Sequence, residues 1–422
     1  MDLVMYSLTT VAKAIVEPIY LLMLIVLGVI FYFKNKRISM IQRMTVGEYL
    51  DTPLELTLSQ IVIGIIAGAF TSVILTLLGI TFNANSAIGF IFFASIIMMF
   101  LNQKNMCFSY SGTILAVIGL LIDIISKITG KTSLLDINIL SLLTLVGVLH
   151  ITEGILVMMD GSRGAIPVFT NKDDKIIGGF SLNRYWVIPV AILFILGNEE
   201  GASPLISVTM PQWWPIIKDT KLLSLLSVLT LSSMPFYGVI GYNAVTFTRK
   251  KKVKALLSGI CTLIYGISLV AVAQLSNIGF IGEVIAVIYM PMAHKIMMKV
   301  QSFMEKNRRY LYVSDEEGIS ILEVAPSSIA FQLGIRRGDK ILAVNGQDVL
   351  SEIDVIKAIK ENVHGIPIKI KNKAGEVVEY FVQPKNKRLG MLLVPRMVKN
   401  ESKLDISSDE FKRILDEFRK IK

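Results

Sequence analysis

Apolar runs recur so densely over the first 295 or so residues that this part of the chain reads as membrane-like. Nine are present: Pro18 to Phe33, Ile61 to Phe82, Ala87 to Leu101, Tyr110 to Ile125, Ile137 to Met159, Trp186 to Leu196, Leu222 to Phe247, Ala255 to Leu275 and Ile278 to Ala293. A bilayer core takes about 20 residues of helix, so the expectation is a polytopic α-helical membrane domain of about nine spans. The Ala87, Trp186 and Ile278 runs are marginal in length, and without some of them the count falls to seven or eight.

Glu17-Pro18 opens the first run and no small-x-small cleavage site precedes the basic cluster Lys34 to Arg37, so the first span is expected to stay in the chain. Basic residues set the orientation. With nine spans, one set of alternate loops holds Lys34 to Arg43, Lys104, Arg163, Lys172 to Arg184 and Arg249 to Lys254. The opposite set holds only Lys13, Lys127, Lys131, Lys218 and Lys221. This positive-inside bias places the N-terminus outside and the long C-terminal part in the cytoplasm. The outside segment from Asn198 to Pro215 carries Glu199-Glu200 and also Trp213-Trp214, which suit an interfacial anchor. The net charge of +10 is then mostly a topology signal, and no nucleic-acid motif accompanies it. Arg249 to Lys254 also suits anionic membrane lipids, each charge being worth roughly 1 kcal/mol near the surface.

Polar residues within apolar runs are functional candidates by default, because a charge at mid-bilayer is expensive. His150 and Glu153 are the clearest pair, and their i, i+3 spacing puts them on one helix face. A proton relay, a pair of metal ligands and a structural hydrogen bond between helices all fit that spacing, and the structural bond is favoured because no second His-Glu pair occurs in the spans. Asp123 and Glu283 fall near span ends, and Pro235 and Pro291 suit helix kinks. Cys107 and Cys261 have no CxxC spacing and are expected as packing residues.

Catalytic patterns are missing. An intramembrane zinc protease needs histidines at i and i+4 with a glutamate after the first, which His150-Ile-Thr-Glu-Gly does not provide. Of the other two histidines, His294 falls at a membrane exit and His364 in the cytoplasmic part. No nucleophile loop of a serine protease is present, since Phe108-Ser109-Tyr110-Ser111-Gly112 has serine where the first glycine should be. The expectation is a non-enzymatic protein with no cofactor and no metal.

From Gly318 to Gly346 the chain changes character. Ile319, Ile321 and Val324 suit a strand, Pro326 to Leu333 a short helix with Gly334 as its C-cap, and Ile341 to Val344 a strand closed by a turn at Asn345-Gly346. This stretch resembles a PDZ domain of the bacterial type. The resemblance implies a peptide-binding groove between the Ile319 strand, expected to present an open edge, and a helix from Ile353 to Glu361. Its residues would be Gly318, Ile319, Ser320 and Ile321 on the strand side and Val355, Ile356 and Ile359 on the helix. Gly334, Gly338, Asp339, Asn345 and Gly346 are expected as turns that identify the fold without touching ligand. Ile366 to Ile370 and Val377 to Val382 read as a closing hairpin, and Leu389 to Val394 as one more strand.

The expected division is a transmembrane domain over residues 1–295, a linker over 296–314, an α+β PDZ-like domain over 315–396 and a tail over 397–422. In the tail, Ser407 to Ile421 reads as an amphipathic helix with Phe411, Ile414, Leu415 and Phe418 on one face.

A second resemblance spans most of the chain. The many spans, the His150 to Asp160 segment, the loop from Thr170 through Gly178-Gly179 to Pro189 and the C-terminal domain together resemble the MinJ-like family of membrane-bound division-site determinants of Gram-positive bacteria. Membership would imply a scaffold that links a DivIVA-type coiled-coil protein to the MinC and MinD inhibitor of division-ring assembly. The alternatives are a membrane transporter or sensor with a regulatory PDZ domain, in which His150, Glu153 and Pro235 line a polar cavity, or an accessory factor of a membrane protease.

Overall fold

The computed structural model describes residues 2–101, 107–130, 135–173, 175–196, 211–218, 230–362, 365–384 and 389–396. The expected tail helix at 407–421, His364, and the segments 198–210 and 222–229 lie outside them. The first domain contains helices α1 (Leu3–Val16), α2 (Pro18–Val46), α3 (Pro53–Leu78), α4 (Gly89–Leu101), α5 (Phe108–Thr129), α6 (Ile139–Asp160), α7 (Lys251–Ala273) and α8 (Phe280–Lys306). Six of these, α2, α3, α5, α6, α7 and α8, are long and apolar enough to cross a membrane. They turn Leu22, Val29, Ile66, Phe70, Leu121, Ile264 and Ile288 outward, an apolar surface compatible with a membrane location.

The expected nine spans do not all form helices. The Ala87 run becomes α4, only 13 residues long. The Trp186 run lies in strand β3 (Lys175–Leu196), and the described part of the Leu222 run is strand β4 (Thr230–Thr246). These two pair antiparallel from Phe180 opposite Thr246 to Leu196 opposite Thr230, while β1 (Thr81–Asn83) and β2 (Ile166–Lys172) also pair with β3. Every residue of β3 from Arg184 to Phe194 is buried, so this strand carries a continuous apolar run from Trp186 on that periodicity cannot tell from a helix. Pro235 therefore kinks no helix: it sits in β4 opposite Ala191, where among the described residues the only strand beside it is β3.

Buried backbone groups left over by the hairpin need partners, and hydroxyl side chains of the helices supply them. Ala191 N donates to Ser72 Oγ at 2.8 Å, Val239 N to Ser95 Oγ at 3.1 Å and Ser233 N to Tyr6 Oη at 3.0 Å, while Tyr237 Oη donates to Ala14 O at 2.7 Å. Close approach is possible because α3 presents glycine to β3. A Cβ added at Gly64 would lie 2.1 Å from Val187 O, and one at Gly68 2.2 Å from Pro189 O. A second glycine contact joins α6 to α7: a Cβ at Gly154 would meet Gly259 O at 2.7 Å, and one at Gly266 would meet Gly147 O at 2.6 Å. Small residues at such crossings let helix backbones touch where neither solvent nor lipid drives association.

The end of α6 is tied to the hairpin by a buried ion pair. Arg184 Nε and Nη2 donate to Asp160 Oδ2 at 2.9 and 2.7 Å, and Trp186 Nε1 reaches the same oxygen at 2.9 Å. Arg184 also bonds Leu56 O and Ser59 Oγ on α3, so α3, α6 and β3 meet at one guanidinium.

Trp214 is packed with Leu3, Leu193 and Leu231 and donates to Thr76 O at 2.7 Å, so of the expected interfacial tryptophans only Trp213 is exposed. Much of the basic run beginning at Arg249 is likewise used internally. Arg249 bonds Met304 O, Lys251 pairs with Glu323 at 3.3 Å and Lys254 with Glu305 at 3.5 Å.

The expected linker at 296–314 is ordered: α8 runs through it to Lys306, and β5 (Tyr312–Val313) pairs with β3 at Gly178 and Ile177. The C-terminal domain then follows as β6 (Ile319–Val324), α9 (Ile329–Gln332), β7 (Lys340–Val344), β8 (Gln347–Asp348), α10 (Glu352–Glu361), β9 (Ile366–Lys371), β10 (Val377–Val382) and β11 (Met391–Leu393). Its sheet order is β10-β9-β7-β6-β11, with β8 beside β7. Gly334, Gly338, Asn345 and Gly346 all have positive φ at its turns, and Asp339 Oδ2 accepts from Arg336 N at 2.8 Å. The domain is docked on the first one. Leu322, Val394 and Tyr312 share a core with Phe180 and Trp186, and the fully buried Glu323 carboxylate receives both Lys251 and Arg337.

At the exposed start of this domain, Lys371 and Lys340 hold the Glu317 carboxyl down to about 2. A depressed carboxylate contributes stability above its unfolded value, and the contribution fades as pH falls through the folded one. The Glu317→Gln chain and the native chain should therefore converge in thermal midpoint between about pH 4.5 and pH 2. Because Glu317 is solvent-exposed, the difference at neutral pH should be small and shrink in high salt, as calorimetry in both buffers would read.

Candidate functional site

Helix α10 begins with a reciprocal cap: Ser351 Oγ accepts from Asp354 N, and Asp354 Oδ2 accepts from Ser351 N at 2.8 Å. The cap fixes where the helix starts and so which face meets the sheet. Val355 and Ile359 are buried in the domain core, while Ile356 is 44% exposed. Opposite them runs β11, which pairs on one side with β6, from Met391 opposite Val324 to Leu393 opposite Ile321. Among the described residues no strand pairs with its other side.

Between α10 and β11 lies a cavity of about 380 Å³. Val355, Ile356 and Ile359 line one wall and Leu389 to Leu393 the other. The end of α2, from Met44 to Gly47, and Phe169 of β2 close the remaining side, so the first domain contributes to the groove. An apolar trough beside an unpaired strand edge suits an extended peptide that adds a strand and inserts alternate side chains.

The structure separates the two halves of the expected groove. The helix residues Val355, Ile356 and Ile359 line it. Gly318, Ile319, Ser320 and Ile321 do not: β6 is flanked by β7 and β11, all its residues are buried, and its expected open edge is occupied. The physical reason is chain order, since the strand that reaches the free edge comes last. The sequence signal for it was the apolar run Leu389 to Val394, read as a strand but not placed beside the helix.

In the first domain, His150 and Glu153 do lie on one face of α6, with Nε2 and Oε2 3.8 Å apart. The structure adds partners that the sequence left scattered. Cys107 Sγ, just before α5, stands 3.2 Å from His150 Nε2 and 3.2 Å from His294 Nε2 of α8. His294 is thus a buried member of this cluster, and Cys107, expected as a packing residue, stands within hydrogen-bond reach of both rings. Ser109 Oγ contacts Tyr265 Oη at 2.6 Å, and Tyr265 donates to Met290 O at 2.8 Å. The short α4 lets the start of α5 reach the middle of α6, where His150 sits eleven residues after Ile139. Asp123, by contrast, pairs with Lys127 at 2.7 Å on the surface.

A family model described as a PDZ domain matches residues 320–368, from β6 into β9. The chain is also 22% identical over 233 residues to the cell division topological determinant MinJ of Bacillus subtilis (strain 168). That similarity covers 55% of this chain and 55% of the relative, so the match spans about half the length of each. The chain is thus distantly similar to MinJ over about half its length and carries a segment that matches a PDZ domain. No solved structure matches it.

Proposed function

We propose that this chain is a non-enzymatic membrane scaffold that captures partner proteins through the groove between α10 and β11 and takes part in placing the cell-division site. The observation that carries the reading is the free edge of β11 facing an apolar helix across an open trough. The distant similarity to a division-site determinant supplies the process. The partners in this proposal are division proteins of the DivIVA and MinC/MinD types. The distribution of basic residues supports an outside N-terminus and a cytoplasmic PDZ domain. Burial of His150 among protein side chains favours a scaffold over a transporter with a wet cavity.

Substitution at Ile319 is a poor test, because a charge at this fully buried position unfolds the domain. Ile356→Glu is the better one, placing the charge on an exposed groove wall. Crosslinking pull-down from intact membranes should recover at least about tenfold less of the division proteins with this variant than with the native chain, equivalent to about 1.4 kcal/mol. Undiminished recovery by a folded Ile356→Glu chain would place recognition elsewhere.

A further inference from the structure

Protons run short around Cys107. His150 Nδ1 lies 2.7 Å from Val146 O, and since a carbonyl only accepts, the ring proton is on Nδ1. In the neutral ring, Nε2 then presents a lone pair to Cys107. Ser109 cannot protonate it: Tyr265 gives its proton to Met290 O, so the 2.6 Å contact between Ser109 and Tyr265 uses the serine proton. The thiol has one proton for two imidazole nitrogens. His294 Nδ1 is buried with no hydrogen-bond partner, so neither tautomer of that ring is satisfied. Glu153, an acceptor when ionised, faces the same lone pair of His150 across 3.8 Å. Acceptors thus converge from three helical segments on one point, the arrangement a cation resolves.

The donor set and spacing narrow the cation. Cys107 Sγ and one nitrogen of each histidine all lie within 4.8 Å of one another. Tetrahedral zinc, with bonds of about 2.3 Å to sulfur and about 2.0–2.1 Å to nitrogen, sets such atoms about 3.6 Å apart, so the 3.2 Å contacts need only a small opening. A thiolate and two imidazoles suit zinc and disfavour magnesium or calcium. His150 has its outer nitrogen anchored on a backbone carbonyl, as ligating histidines do. Charge also balances, because the Cys107 thiolate and the Glu153 carboxylate together neutralise a dication.

We propose that Cys107 Sγ, His150 Nε2 and His294 Nε2 bind Zn²⁺, with Glu153 as the fourth ligand or holding the water there. Binding displaces the thiol proton to solvent and clamps the start of α5 and the middles of α6 and α8 together. The site is independent of the peptide groove.

The test uses the full chain in detergent micelles, stripped with a chelator and titrated with Co²⁺, then with Zn²⁺ as competitor. Tetrahedral cobalt bands with a sulfur-to-cobalt charge-transfer band should saturate at about one equivalent and be displaced by zinc. Cys107→Ser should lose the charge-transfer band, and His294→Gln should weaken uptake roughly tenfold or more, while Cys261→Ser changes neither. Absence of these bands from the folded native chain overturns the proposal by itself, whichever variants fold. Persistence of the charge-transfer band in Cys107→Ser, or its loss in Cys261→Ser, overturns it equally.

Discussion

Gly68→Val should abolish the folded first domain, at a cost above about 4 kcal/mol, the range reserved for changes the surroundings cannot absorb. The added Cβ would stand 2.2 Å from Pro189 O and 2.8 Å from the proline ring. Neither neighbour can yield. The carbonyl belongs to a strand held by β4 along its length, and the ring is covalently fixed. Moving α3 outward would also break the bond from Ala191 N to Ser72 Oγ, one turn along the helix. Size-exclusion chromatography of the solubilised variant should show aggregate in place of a monodisperse peak. Ile66→Val, on the outward face of the same helix, should elute like the native chain. A monodisperse Gly68→Val protein would mean that α3 does not lie against β3 as described.

Arg184→Leu is the second large effect. It strands the Asp160 carboxylate, which is buried and then keeps, among the described residues, only Trp186 as a hydrogen-bond partner. Breaking a buried pair from one side costs about 3–5 kcal/mol, because the desolvated charge remains. The double variant Arg184→Leu with Asp160→Leu removes both charges and should recover much of the loss. Thermal unfolding in micelles of the two single variants and the double one would read the coupling, and additive losses would show that the pair is not linked.

Local punctuation made the C-terminal domain legible in the sequence. Gly334 and Asn345-Gly346 each fix a turn from residues a few places apart, and both turns fall where those signals put them, while the short helix expected from Pro326 to Leu333 shrinks to Ile329–Gln332. The groove required more, since β11 meets α10 only after β9 and β10 have intervened and no short-range pattern reports that pairing. In the first domain the apolar runs marked what is buried but not the form it takes. A strand wrapped by helices on both faces and a spanning helix carry the same composition, and the Trp186 run, eleven residues and marginal in length for a span, belongs to a strand of 22 residues. Cys107 and His294 stand 187 positions apart, so only the packing of α5 against α6 and α8 could unite them.

Because β5 is sewn into the same sheet as β3 and α8 continues without a break past Met304, the peptide groove stands on a rigid pedestal instead of swinging on a leash. Under the proposed function a captured segment would be presented at one height above the helices and in one compass direction around them. Neighbouring copies of the chain in a common plane would hold their ligands in parallel, so that what is recruited arrives already aligned with the surface that recruits it.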